Sequence, residues 1–298
     1  LVFVKYFYIF VKINNIMSRK NIVLPLVPNI DAGTFILSGI KIASALNAKL
    51  TFLYVLNTTN YAAYSGSMAV GTMAGIKEQK EAIEANYVKL LRSYRSEIPA
   101  NMAVERDLIE GPWVGSIIRY LEKNNVDILL LKHEEHGIID KILGDSNSEI
   151  INHANIPVWI IPNKYRPGLP ENIAYLSDHR RKDIKALKEL QNLCEVFNAK
   201  FYLVHVNDKD DFEALIKKEG FKVILAKELK DCRIEHLEIS RGAMHKNIGK
   251  IIEKKNIDLI SMMNESENFM SRFFSRSSVD KLINDVDIPL AIYSQNMN

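Results

Sequence analysis

The sequence predicts an α/β protein made of two tandem, doubly wound parallel-sheet domains. Three observations predict it. Short, almost wholly apolar runs alternate with longer segments whose apolar residues recur at helical spacing, the pattern of strands buried on both faces beneath covering helices. The same order of segments occurs twice, and the turn-forming stretch NKYRPGLPEN joins the copies.

In the first copy NIVLPLV reads as the opening strand, and TFILSGIKIASALNA as an amphipathic helix with Asp31 as its cap. KLTFLYVL is the second strand. The small-residue loop NTTNYAAYSGSMAVGTMAG and the long helix KEQKEAIEANYVKLLRSYRSEI follow it. AVERDLIE, a helix from Gly111, the strand DILLL, a glycine turn at Gly144, a short helix and the strand VWII complete the copy. Ahead of it, LVFVKYFYIFVKINNI falls short of the roughly 20 apolar residues that span a bilayer, and it has no small-residue cleavage site. Because Met17 opens an ordinary first strand, residues 1–16 read as an upstream extension; a weak membrane-surface anchor is the alternative.

The second copy repeats the first closely enough to align. NAKLTFLYV from Asn47 returns as NAKFYLVHV from Asn198, and IPVWII returns as IPLAIY. Gly111 stands as far before Asp127 as Gly242 does before Asp258. The second copy is about twenty residues shorter, and the loss lies between its second and third strands. The expected division is an extension at 1–16, a first domain at 17–163, a linker at 164–171 and a second domain at 172–298.

Composition narrows the function classes. With 298 residues, 47% hydrophobic and 25% charged, the chain is long enough for two domains. A formal charge of +3 does not suggest nucleic acid, and no segment suggests a membrane span. Cys194 and Cys232 have no metal-like or redox spacing, which fits a reducing cytoplasm.

The strand order, the repeat length and the terminal glycine, helix and IPV unit of each copy resemble a tandem universal stress protein, over nearly all of Lys20 to Ser294. The resemblance implies an adenine nucleotide alpha hydrolase-like, Rossmann-like fold. It also implies an intramolecular pseudo-dimer in which PVWIIP and PLAIYS mate as edge strands, with further pairing of chains into a homodimer left open. Nucleotide-binding members carry G-x-x-G, nine residues, then G-[ST] after the fourth strand, and an aspartate at the end of the first. The glycines let backbone N–H groups approach phosphate, and the hydroxyl and helix N-terminus supply donors.

Matched to that pattern, each copy departs from it differently. The first keeps Gly144 and one loop glycine, Gly137, but has Asp145 at the hydroxyl position and Val27 at the first-strand aspartate. A carboxylate about 5 Å from a phosphate charge costs about 3 kcal/mol at an effective dielectric of 20, and Glu134, Glu135 and Asp140 add to it. The first copy is expected to have lost nucleotide. The second keeps Asp178 at the end of NIAYLSD and places Ser277 and Ser278 at the start of the last helix, with Arg276 replacing the terminal glycine. Arginine can meet a phosphate by charge-assisted bonds. The plainer readings are a helix cap for Ser277 and a turn or cap for Asp178. ATP is therefore expected in the second domain or in neither.

Other residues give no catalytic or metal constellation. HEEH at 133–136 lacks the i, i+4 histidine spacing of helical zinc motifs. His205, inside FYLVHV, reads as a hydrogen-bonded core histidine, and His153 and His245 as surface residues. Trp113 and Trp159 read as packing, and RRKDIKALKELQ as a solvated helix face. The function that the resemblance implies is a non-enzymatic, cytoplasmic stress-response protein binding a small ligand. The alternatives are an interaction scaffold whose loop NYAAYSGSMAVGTMAG meets a protein partner, and, last, a weak ATP hydrolase.

Overall fold

The computed structural model describes residues 20–26, 32–56, 73–133, 140–207, 212–229, 233–240, 244–264 and 287–297. In the first half the order is β1 (Asn21–Leu26), α1 (Gly33–Ala45), β2 (Lys49–Leu56), α2 (Met73–Ser93), β3 (Val104–Glu110), α3 (Trp113–Lys123), β4 (Ile128–Lys132), α4 (Asp140–His153) and β5 (Val158–Ile161). The second half runs β6 (Asn172–Ser177), α5 (Asp183–Phe197), β7 (Lys200–Asn207), α6 (Phe212–Glu228), β8 (Ile234–Ser240), α7 (Met244–Lys255), β9 (Leu259–Asn264) and β10 (Leu290–Ser294).

The ten strands of the described residues form one sheet in the order β3-β2-β1-β4-β5-β10-β9-β6-β7-β8. Every neighbouring pair is parallel except β5 and β10, which meet antiparallel with Trp159 opposite Ala291. The expected mating of the two last strands is thus the seam of the molecule. It pairs two apolar edges that would otherwise be open to association.

The continuous apolar runs are explained by helices on both faces. Along β1, Ile22 and Leu24 enter one core and Val23 the other; along β5, Trp159 and Ile161 enter the first, and Val158 and Ile160 the second. Helices α1, α2, α5 and α6 cover the first face through residues such as Phe35, Ile83, Leu187 and Phe221. Helices α3, α4 and α7 cover the second through Ile117, Ile150 and Ile248.

The repeated sequence signatures have local causes. Asn47 and Asn198, which open the two NAK strings, both take a left-handed backbone just past α1 and α5 (φ 48° and 54°), a conformation asparagine tolerates at helix ends. Asp127 and Asp258 tie down the start of each half's first strand. Asp127 Oδ2 accepts from the Asn21 amide at 2.6 Å, and the Asp258 carboxylate accepts from the Glu171 and Asn172 amides at 2.9 Å each. Gly111 has φ 126°, and a Cβ there would stand 2.8 Å from Ser116 Oγ, so glycine is required.

Two local expectations change. The first helix has Ala32 at its N-cap with no side-chain cap bond, and Asp31 lies outside the described residues. Gly144 is not in a turn: α4 begins at Asp140, so Gly144 and Asp145 are inside the helix. A lone glycine is tolerated within a helix whose other residues sustain it.

Candidate functional site

In a doubly wound sheet the ligand position is the crevice beyond the carboxyl ends of the strands. At the ends of β6 and β7 that crevice is built from Tyr175, Ser177, Asp178, His179, Arg180, Asp183 and His205, with Lys217 and Phe221 from α6 on the first face. Asp183 holds it together. Buried in the first turn of α5, it accepts from Tyr175 Oη at 2.9 Å, Ser177 Oγ at 2.5 Å and the Arg180 amide at 3.2 Å. Burial pushes its carboxyl up to about 6; the neighbouring Asp178 charge adds to the rise, and the three donors oppose it.

Asp178 follows directly on β6 and is buried. Its Oδ2 pairs with Arg180 Nε, and its backbone carbonyl accepts from Lys217 Nζ at 2.6 Å. Its Oδ1 is buried and has no hydrogen-bond partner among the described residues. The residue therefore caps no helix; it holds an arginine with one oxygen and keeps the other buried without a partner among the described residues.

His179 comes next, in a left-handed backbone (φ 60°) fixed by a 2.9 Å bond from its amide to Ser177 Oγ. Its ring, also buried, stacks on His205 with centroids 3.7 Å apart and planes 10° from parallel, and leans on Phe221 at 4.8 Å. Burial, then the charges of His205, Lys217, His236 and Lys218, lower His179 to about 3. His205 is lowered as well, chiefly by burial. Its Nδ1 lies 3.0 Å from the Ser177 carbonyl; a carbonyl only accepts, so the neutral ring carries its proton on Nδ1. His179 Nδ1 is buried without a partner among the described residues.

Of the residues singled out from sequence, the structure places Asp178 at this crevice. Gly144 lies in α4 of the other half. Gly137, Arg276, Ser277 and Ser278 lie outside the described residues, as do Val27 and most of HEEH. His205 is hydrogen-bonded, as expected, and also forms half of a stacked pair. His153 is exposed, and Trp159 is fully buried in the seam. His245 lies on α7. Among the described residues no group of three or more His, Cys, Asp or Glu is placed to hold a metal ion, and no helix is long and apolar enough to cross a membrane.

Sequence reasoning missed Asp183 and His179. Asp183 sits in RRKDIKALKELQ, where Arg181, Lys182, Lys185 and Lys188 do face water, so its charge suggested a solvated position. The available signal was its phase: Asp183 falls in line with the buried Ala186, Leu187 and Leu190. A separate cleft of about 410 Å³ runs between β3 and α3. Its polar groups bond one another, Tyr120 to Asp107 and Arg119 to Ser116 Oγ at 3.0 Å.

Residues 18–162 match the model of the universal stress protein family. Among solved structures, a universal stress protein of Archaeoglobus fulgidus superposes with TM-score 0.70 at 18% identity, covering 92% of this chain and 96% of that one. A proposed universal stress protein of Pseudomonas aeruginosa superposes at 0.63 and 12%, over 94% of each chain. The cytoplasmic domain of a prokaryotic cation chloride cotransporter does so at 0.55 and 12%, over 94% of this chain and 98% of that one. At such identities the likeness shows the fold. No curated protein matches the sequence.

Proposed function

For a chain whose residues 18–162 belong to the universal stress protein family and whose second half repeats that fold, we propose a non-enzymatic, cytoplasmic stress-response protein with one adenine nucleotide site, in its second domain. The domains are taken as 17–163 and 172–298, with 164–171 as linker. The observation that carries the reading is Asp178: a carboxylate buried at the carboxyl end of β6, with Oδ1 lacking any partner among the described residues. A buried acceptor left unpaired is costly unless a ligand donor meets it. A ribose hydroxyl or an exocyclic amine is such a donor. Arg276, Ser277 and Ser278 are assigned to the phosphates of ATP by their place in the sequence, and the first domain, with Asp145 and Val27, is assigned no nucleotide.

Thermal denaturation tests this. Saturating ATP with magnesium stabilises a folded state that binds it, so the melting temperature should rise for the wild type and stay unchanged for Asp178→Ala. Equal shifts in both proteins would remove Asp178 from the site.

A second reading, an interaction scaffold, is favoured by α6. Its outer side exposes Phe212 (75%), Leu215 (56%), Ile216 (55%) and Val223 (72%) at helical spacing. That face suits a protein partner, including a second copy of the chain.

A further inference from the structure

The stacked histidines at the ends of β6 and β7 do something that a retained aspartate does not explain. A planar ring lies flat on His205 at 3.7 Å and 10°, and parallel stacking is how a heterocyclic base lies on an aromatic side chain. Here the ring is the chain's own His179. We propose that His179 is a removable plug on the base-stacking face of His205, and that a bound purine takes its place. The proposal rests on the nucleotide reading above and adds to it the residue that stacks the base and the residue that must leave.

Two features indicate that the plug is held at a cost, and a third confines its movement to a short segment. His179 has a φ of 60°, in a region that non-glycine residues occupy sparingly. Its Nδ1 is buried with no partner among the described residues, and so is Oδ1 of the adjoining Asp178; two successive residues thus leave a polar atom unsatisfied at the same crevice. The segment is short, tied by the Ser177 Oγ bond to the His179 amide and by Asp183 to the Arg180 amide. Turning the His179 ring outward leaves the Ser177 to Asp183 support in place. It frees the His205 face, and His205 pairs in register with Ser177, the residue before Asp178, whose Oδ1 can accept from a purine amine or a ribose hydroxyl. His205 is fixed for this role by its bond to the Ser177 carbonyl and is kept neutral by burial.

Other candidates carry less. A metal between the two imidazoles is disfavoured because parallel rings do not converge their lone pairs on one point. The apolar stripe of α6 has nothing on it to identify an occupant. In the β3–α3 cleft Tyr120 bonds Asp107 and Arg119 bonds Ser116, which leaves no buried polar group there unmet among the described residues to mark a ligand.

The experiment is titration of the full chain with magnesium ATP and, separately, with adenosine, in five forms: wild type, Asp178→Ala, His179→Gly, His179→Asn and His205→Ala. Glycine accepts the left-handed backbone and removes the ring; asparagine tolerates the same backbone and guards against a folding effect. Both should bind adenosine at least fivefold more tightly than the wild type, since no plug has to open. His205→Ala should bind at least fivefold more weakly, through loss of the stacking face. Binding that Asp178→Ala abolishes but the His179 variants leave unchanged or weaken would overturn the plug and leave the nucleotide site standing. Absence of binding in every form would overturn both. Binding by the His179 variants alone would support the plug and explain a silent wild type.

Discussion

His179 and Asp183 pull the pH dependence of stability in opposite directions. His179 stays neutral in the folded protein down to about 3, against an ordinary value of 6.5. The unfolded chain therefore takes up a proton first, and stability present above pH 6.5 is lost as pH falls through that window. Asp183, raised from 3.8 to about 6, does the reverse: its contribution is fully present below pH 3.8 and is lost as pH rises through 6. Replacing His179 by asparagine isolates the two. The wild type should lose about 2–4 kcal/mol more than His179→Asn between pH 6.5 and 3, measured by urea denaturation across that range. Parallel curves would mean that the ring is not buried neutral in solution. None of this was legible in the sequence, because a histidine beside arginines and an aspartate among lysines both look solvated until the turn folds them inward.

At the scale of the element, far more could be read in advance. Apolar runs gave strands, helical spacing gave helices, and the equal spacing of Gly111 to Asp127 and Gly242 to Asp258 pointed to a shared device. The structure supplies its cause, a carboxylate that anchors the first strand of each half through backbone amides. Asp127→Ala and Asp258→Ala should each cost about 1–2 kcal/mol in chemical denaturation, toward the low end for bonds to a charged acceptor because the paired amides are only partly buried or exposed. A negligible loss in both would mean that water replaces the carboxylate freely. Element boundaries were less legible. Gly144 resembled a turn because the sequence gives no sign that Asp140 to Leu143 would join the helix ahead of it.

Across the whole molecule, the β5–β10 seam makes one sheet of two repeats. Trp159 stands fully buried opposite Ala291, and the same core takes in Tyr175 and Tyr293 from the second half. Trp159→Ala should therefore destabilise by about 3–5 kcal/mol and broaden or split the unfolding transition relative to the wild type by loosening one half from the other. An unchanged, single transition would show that the backbone pairing alone couples them. The seam was legible through the resemblance to tandem universal stress proteins, which implies that the last strands mate; their apolar character fits the pairing but did not by itself specify it. The crevice was legible only at Asp178, since its other parts come from residues that meet through tertiary structure. The most direct measurement is calorimetric titration of the full chain with ATP and magnesium, repeated on Asp178→Ala. Micromolar binding at about one nucleotide per chain, abolished by the substitution, is the predicted result. No heat at millimolar ATP, or two nucleotides per chain, would contradict a single working site in the second domain.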